Sequence, residues 1–321
     1  MKSAGIALAC ILALSCASTA LAQGYPSKPI RIVVPFPPGG GGDVLMRPLS
    51  RKLTELLGQS IVIDNRPGAN GNVGADHVAK SAPDGYVLLL GNSSLPISAS
   101  LYSQLPFDPL KDLAMISLVS ITPSALVLHP SVPAKTVAEL IALAKAHPGK
   151  LNYASAGSGS TPHLSIEMLK TMAGIDMVHV PYKGGGPAVT AVLAGEVDVL
   201  ITNISTILPQ VRAGKLNAIG VTSLKRSAAL PNVPTISESG VSGYESKTWY
   251  GLMGPAGLPK DVIARLNAAI VAAVNSADLR EQLIGLGYEP ESSTPEAFGA
   301  LMREDIGKWA RVIKSSGVTA D

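Results

Sequence analysis

The stretch Asn152-Tyr153-Ala154-Ser155-Ala156-Gly157-Ser158-Gly159-Ser160-Thr161-Pro162-His163 runs from an apolar, strand-like start through a Gly/Ser loop into Thr-Pro. Thr is a favoured helix N-cap and Pro is favoured in the first helical turn, so a helix is expected to open there. The unpaired N–H groups of that helix start, and the positive end of its dipole, point back at the loop. Gly157 and Gly159 let the backbone approach a ligand closely. Ser158, Ser160 and Thr161 add hydroxyl donors. Together they form a candidate seat for a small anion, above all a carboxylate. The stretch contains no Lys, Arg, Asp or Glu, so such a seat works through dipoles rather than an ion pair.

The same strand–loop–helix unit recurs outward in both directions. Apolar, β-branched runs predict strands at 30–35, 60–64, 86–90, 125–128, 151–154, 177–180, 197–202, 218–222 and 250–253. Most are continuous rather than alternating, the pattern of strands covered on both faces. Helices are expected between them, at 43–57, 136–147, 162–172, 187–193, 259–275 and 295–314. Thr136-Val137-Ala138-Glu139 reads as a capping box, and the last helix has Thr294 as its cap. Alternating strands and helices mean an α/β fold with mostly parallel sheets. We expect two sheets rather than one. The stretch 122–133, with three prolines around a short extended run, and the glycine-punctuated stretch 240–257 read as crossovers. The first lobe is then discontinuous, 23–125 with 248–321, and residues 126–247 form an inserted second lobe. Ligands in such folds bind at the carboxyl ends of strands, here in a cleft between the lobes.

Other glycine loops follow predicted strands. Pro38-Gly39-Gly40-Gly41-Gly42-Asp43 leads into the 43–57 helix, with Asp43 as its expected cap. It is not a dinucleotide fingerprint, because Val44 stands where the third glycine belongs, and no Gly-Lys-Ser/Thr follows it. The loop 66–75 either turns the chain or lines the cleft. Asn92 and Ser93 offer short polar side chains at a strand end. Lys183, before Gly184-Gly185-Gly186, either meets a second carboxylate or is solvated. Thr202 and Asn203 either bond ligand from the cleft wall or give way to capping by Ser205. Trp249 and Tyr250, at the second crossover, either stack on an aromatic ligand or pack the core.

Positions 1–22 read as an export signal: Lys2, a short apolar run at 6–14, and Ala20-Leu21-Ala22 before Gln23. Cleavage after Ala22 is favoured over lipidation at Cys16. Both cysteines, Cys10 and Cys16, lie in this segment, so the mature chain has no thiol chemistry. No second apolar run reaches transmembrane length, and a soluble, monomeric periplasmic protein is expected. A net charge of +3, partly owed to Lys2, gives no support to nucleic-acid binding.

The enzyme readings are weak. The five histidines are scattered, with no pair at metal-ligand spacing, so no metal and no cofactor are expected. His163, beside the anion loop, either polarises a ligand or is surface. Ser158 lacks the flanking glycines of a nucleophile elbow, since Ala156 and Ser160 occupy those places. A secreted hydrolase using Ser158 or Ser160 with His163 is the rival reading and predicts turnover lost on Ser→Ala.

Several motifs in order resemble one family. They are Tyr25-Pro26-Ser27-Lys28-Pro29-Ile30-Arg31, Pro37-Pro38-Gly39-Gly40 with Asp43, Asn65-Arg66-Pro67-Gly68-Ala69 and Pro83-Asp84-Gly85-Tyr86. Gly157-Ser158-Gly159-Ser160-Thr161-Pro162-His163-Leu164, Val180-Pro181-Tyr182-Lys183-Gly184 and Leu230-Pro231-Asn232-Val233-Pro234-Thr235 complete the set. The chain resembles the periplasmic solute-binding receptors of tripartite tricarboxylate transporters, the Bug-type receptors. The resemblance implies a type II periplasmic-binding-protein fold whose two α/β lobes close on a small carboxylate. It also implies a membrane permease partner of one large and one small subunit. It places Gly39 to Gly42 and Gly157 to Thr161 on opposite cleft walls. A sensor presenting a carboxylate to a membrane signalling partner has the same sequence signature.

Overall fold

The computed structural model describes residues 24–319; the expected export signal lies outside them. In chain order the elements begin with β1 (Ile30–Val34), α1 (Gly41–Leu57), β2 (Ile61–Asn65), a 3-10 turn (Ala69–Gly71), α2 (Asn72–Ala79), β3 (Val87–Asn92) and α3 (Ser94–Leu101). Then come β4 (Leu113–Leu128), α4 (Val137–Ala146), β5 (Asn152–Ser155), α5 (Thr161–Ala173), β6 (Val178–Pro181) and α6 (Gly185–Leu193). The chain ends with β7 (Val199–Asn203), α7 (Ile204–Arg212), β8 (Asn217–Val221), β9 (Lys247–Pro255), α8 (Lys260–Asn275), α9 (Ala277–Gly285) and α10 (Pro295–Ser316).

The strands form one hydrogen-bonded path, β2-β1-β3-β9-β4-β7-β5-β6, with β8 also on β4. The two expected sheets are present as two blocks of that path, joined because β4 runs through both. Residues 113–123 of β4 pair with β9, and residues 124–128 pair with β7 and β8. The change of partner falls at Pro123-Ser124, where proline has no N–H to give a ladder. Each block keeps a parallel core, β2-β1-β3 in one and β6-β5-β7 in the other, while β4 and β9 add antiparallel pairs.

Both faces of each block are covered, which is why the strands read as unbroken apolar runs. In β1, Ile30, Ile32 and Val34 pack with α1 and α8, whereas Val33 joins Trp249, Phe298 and Met302 on the opposite face. In β4, Leu126 and Leu128 face α4 and α5, and Ala125 and Val127 face α6 and α7. The C-terminal helix α10 spans the molecule. Its Phe298 and Met302 enter the core of the first block, and its Trp309 and Val312 enter that of the second. Among the described residues, no single helix is long and apolar enough to cross a membrane.

Candidate functional site

Five helices begin at one cavity of about 350 Å³ between the blocks. The start of α1 brings Gly39, Gly40, Gly41 and Gly42, and that of α3 brings Asn92 and Ser94. From the second block, α5 brings Ser160, Thr161 and Pro162, α6 brings Gly184, Gly185, Gly186 and Pro187, and α7 brings Asn203 and Thr206. None of these five starts is capped by its N-cap side chain. By contrast, α4 and α10 begin away from the cavity, and Thr136 and Thr294 cap them. Lys183 is the one charged side chain among the described lining residues, and no Asp or Glu lines the wall. Positive helix ends facing a space without carboxylates favour an anion.

Asp43 lies behind this wall. It does not cap α1 in the expected way: its carboxylate reaches back to accept the Gly39 N–H at 3.0 Å and pairs with Arg47 at 2.9 Å. Burial pushes this carboxyl up, but the Gly39 N–H and Arg47 more than offset that and hold it below the ordinary aspartate range. The bond shapes the glycine loop, and Gly41 and Gly42, whose N–H groups have no partner in their own helix turn, line the cavity.

The Gly/Ser loop differs from the expected arrangement. Ser160, not Thr161, is the N-cap residue of α5, and its side chain does not cap. Ser160 Oγ donates to Gly157 O at 2.7 Å, and Thr161 Oγ1 pairs with Ser93 Oγ at 3.1 Å across the cavity edge. Gly157, Ser158 and Gly159 are turned away from the wall. Gly157 N donates to Ser155 Oγ, Gly159 N donates to His163 Nδ1 at 3.0 Å, and Gly159 O accepts from Asn70 Nδ2 at 3.4 Å. Gly159 has a positive φ of 70° and Leu101 packed where a side chain would stand, so only glycine suits this turn.

Of the sequence-derived candidates, Pro38, Gly39, Gly40, Gly41, Gly42, Asn92, Ser160, Thr161, Lys183, Thr202 and Asn203 line the cavity. Ser93, Gly157, Ser158, Gly159 and His163 stand behind it. Ser93 is fully buried against Thr161. His163 is 5% exposed and stacks on His179 with ring centroids 3.8 Å apart, holding the loop from below. Ser160 aims its proton at a backbone carbonyl and His163 Nδ1 takes a backbone N–H, an arrangement unlike a nucleophile with its base. A serine–histidine contact does exist, Ser155 Oγ to His179 Nε2 at 2.6 Å, but Ser155 is fully buried.

Five polar wall residues, Asn70, Ser94, Thr206, Thr248 and Tyr250, stand outside the sequence-derived candidates. Asn70 belongs to a loop whose glycines signalled it. Tyr250 gave no polar signal, because an aromatic residue in a strand reads as packing. Its hydroxyl accepts from Asn203 Nδ2 at 3.2 Å, joining β9 to β7. Gly41 stands directly against it: a Cβ at position 41 would lie 2.6 Å from the Tyr250 oxygen.

A second cavity, about 200 Å³, lies behind Tyr288 and is lined by Ser227, Arg280 and Glu289 among others. No set of helix starts converges there. Burial raises the Glu289 carboxyl, and Ser227 Oγ donates to it at 3.0 Å.

Comparison with known proteins agrees with this architecture. The model of the tripartite tricarboxylate transporter family receptor matches residues 45–318. Protein BugT of Bordetella pertussis is 39% identical over 298 residues, covering 92% of this chain and 91% of BugT. The structure of R. palustris Rpa4515 with adipate superposes with a TM-score of 0.87 at 35% identity, covering 92% of this chain and 99% of that one. MatC from Rhodopseudomonas palustris with bound malate gives 0.82 at 33% identity, covering 90% and 100%. The two β4-linked blocks are thus the lobes of the type II periplasmic-binding-protein fold, and the chain belongs to the tripartite tricarboxylate transporter receptor family of solute-binding proteins.

Proposed function

We propose that this protein is a periplasmic receptor that captures a small organic carboxylate and delivers it to a tripartite tricarboxylate-type permease of one large and one small subunit. The observation that carries the reading is the convergence of five helix starts from both lobes on a cavity without an acidic side chain. The structures with adipate and malate bound, at 35% and 33% identity, support a carboxylate of that size. Gly39 to Gly42, Asn92, Ser160, Thr161, Thr202 and Asn203 hold the ligand, with Lys183 at the rim. Ser93, Gly157, Ser158, Gly159 and His163 set the shape of the wall.

The magnitudes are adequate. Micromolar affinity corresponds to about −8 kcal/mol. Hydrogen bonds to a charged group contribute roughly 1.5–3 kcal/mol each, so about four to six supply that after association costs without an arginine clamp. Residues 23–125 with 248–321 act as one closing body and 126–247 as the other, with the second half of α10 resting on the latter. The hinges are β4 at Pro123 and the approach to β9. Closure excludes water and strengthens every bond in the site. Export through the 1–22 signal brings the monomer to the periplasm.

The test is thermal unfolding of stripped protein against a panel of aliphatic, aromatic and amino-acid carboxylates. A ligand at about 100 times its Kd should stabilise the fold by about 2.7 kcal/mol and raise the melting temperature. Stoichiometric binding without product is expected. Turnover of any panel compound, abolished in Ser160→Ala, would instead support the hydrolase reading.

A further inference from the structure

Two helices straddle the lobes side by side. In α10, Phe298 and Met302 lie in the first core and Trp309 and Val312 in the second. The short helix α3 repeats that division. Its Leu95 joins the first core, while Ile97 and Leu101, one helical turn apart, join the second. α3 and α10 pack on one another, and Ser100 Oγ donates to Ile306 O at 3.4 Å between them. Leu101 is also seated on the Gly/Ser loop of the second lobe, where a side chain at Gly159 would overlap it. Two polar contacts cross between the lobes beside it: Ser93 Oγ with Thr161 Oγ1 at 3.1 Å, and Asn70 Nδ2 to Gly159 O at 3.4 Å. The rim at the starts of α1 and α6 is built differently. Pro37 to Gly39 on the first lobe and Lys183, Gly186 and Pro187 on the second are exposed where they line the cavity. Among the described residues, no hydrogen bond or ion pair joins these two rims.

Parting α3 from the second lobe returns Ile97 and Leu101 to water and leaves a hole over Gly159. Drawing the α1 and α6 rims apart breaks no described bond between them. We propose that α3 and α10 form a spine on which the lobes turn, a third joint beside Pro123 and the approach to β9, so that the cleft opens at the α1–α6 rim while the α3–α5 contact stays shut. This rests on the receptor reading above and adds the path of its motion. α3 turns against the first lobe at Asn92-Ser93, where β3 ends. The starts of α3 and α5 therefore stay side by side in the open protein and receive the carboxylate first. Those of α1 and α6 reach it only on closure.

Spin-label distances test this, because the chain from Gln23 onward has no cysteine of its own. Pro37→Cys with Gly186→Cys reports the rim, and Gly186 has open space where the new side chain would stand. Ser103→Cys with Lys145→Cys, both at exposed positions, sets the end of α3 against the second lobe. Each pair is measured in stripped protein with and without adipate, malate, glutamate and benzoate, and thermal unfolding of the same samples reports fold and binding. An acid that raises the melting temperature should shorten the rim distance by more than about 2 Å and change the α3 distance by less than that. Comparable changes in both pairs, a change in the α3 pair alone, or none in either overturns the proposal while the capture of the acid stands. Folded protein that none of the four acids stabilises overturns the receptor reading and this one together. Hydrogen exchange on unlabelled wild type gives a reading independent of any variant. Amides 97–101 should exchange equally slowly with and without the acid, and amides 184–186 should slow when it is added. Acid-dependent protection of 97–101 counts against the proposal.

Discussion

A Gly41→Ala variant should still fold, at a cost of about 1–3 kcal/mol for the overlap it creates, and bind its carboxylate about tenfold to a hundredfold more weakly. Gly41 is the first residue of α1 and its φ is not positive, so alanine is conformationally acceptable and has the better helix propensity. The added methyl, however, would lie 2.6 Å from the Tyr250 oxygen and 3.5 Å from Asn203 Nδ2. Neither neighbour retreats easily. Tyr250 is packed against Tyr288, and Tyr288 in turn donates to Gly41 O at 2.7 Å. Displacing Tyr250 breaks its bond to Asn203 and narrows the cavity at the start of α1. A net loss of one or two bonds to a charged ligand corresponds to roughly 1.5–3 kcal/mol. Calorimetric affinity alongside urea unfolding of the ligand-free protein separates the two effects. Wild-type affinity in Gly41→Ala would mean that this glycine loop does not shape the ligand wall.

The largest effect on stability is expected at Trp249. The residue is 1% exposed, meets Phe298 edge-on at 5.2 Å, and donates its Nε1–H to Asp305 Oδ2 at 2.7 Å. Phe298 and Asp305 both lie on α10, so Trp249 fixes that helix to β9. Replacing a buried tryptophan by alanine costs about 3–5 kcal/mol through lost contacts and the cavity left behind. Trp249→Ala should reach the upper part of that range, because Asp305 loses its partner inside the protein. Burial already pushes the Asp305 carboxyl above the ordinary aspartate range, with the indole N–H opposing that shift. Trp249→Phe with Asp305→Leu removes the polar pair together and should cost less than Trp249→Ala. Urea midpoints at constant m-value measure both. A loss under about 1 kcal/mol in Trp249→Ala would contradict its place in this core.

The α/β class and most of the strands were legible because burial on both faces leaves a run of apolar residues with no polar partner to disguise it. The first part of β4 was not. Ser117, Ser120, Thr122 and Pro123 interrupt it, and their polarity is answered only by tertiary partners: Ser117 Oγ bonds Ser293 O, and Ser120 Oγ bonds Thr122 Oγ1 and Glu289 O. α3 was hidden for a related reason. It is short, contains Pro96, and is buried on most sides, so it shows no apolar stripe. α7, with Pro209 inside it, and α9, separated from α8 by Ser276 alone, escaped in the same way.

At the site, the glycine loops could be read because glycine, proline and polar residues after a strand have a local meaning. Which atoms of a loop face inward is decided elsewhere. The 157–159 segment turns away because His163 and Ser155 hold its backbone from behind the wall, while Asn70, itself on the wall, takes the Gly159 carbonyl. Tyr250 becomes a wall residue only when β9 is set beside β3 and β4 and Asn203 is brought to it from β7. Neither arrangement has a counterpart in residue spacing.

A crystal structure of the protein with its bound carboxylate tests the central claim most directly. The account predicts carboxylate oxygens at about 2.7–3.2 Å from backbone nitrogens at the start of α1 in one lobe and at the starts of helices of the second lobe, with no acidic side chain in contact. A carboxylate held by Lys183 alone, or seated outside this cavity, would contradict it.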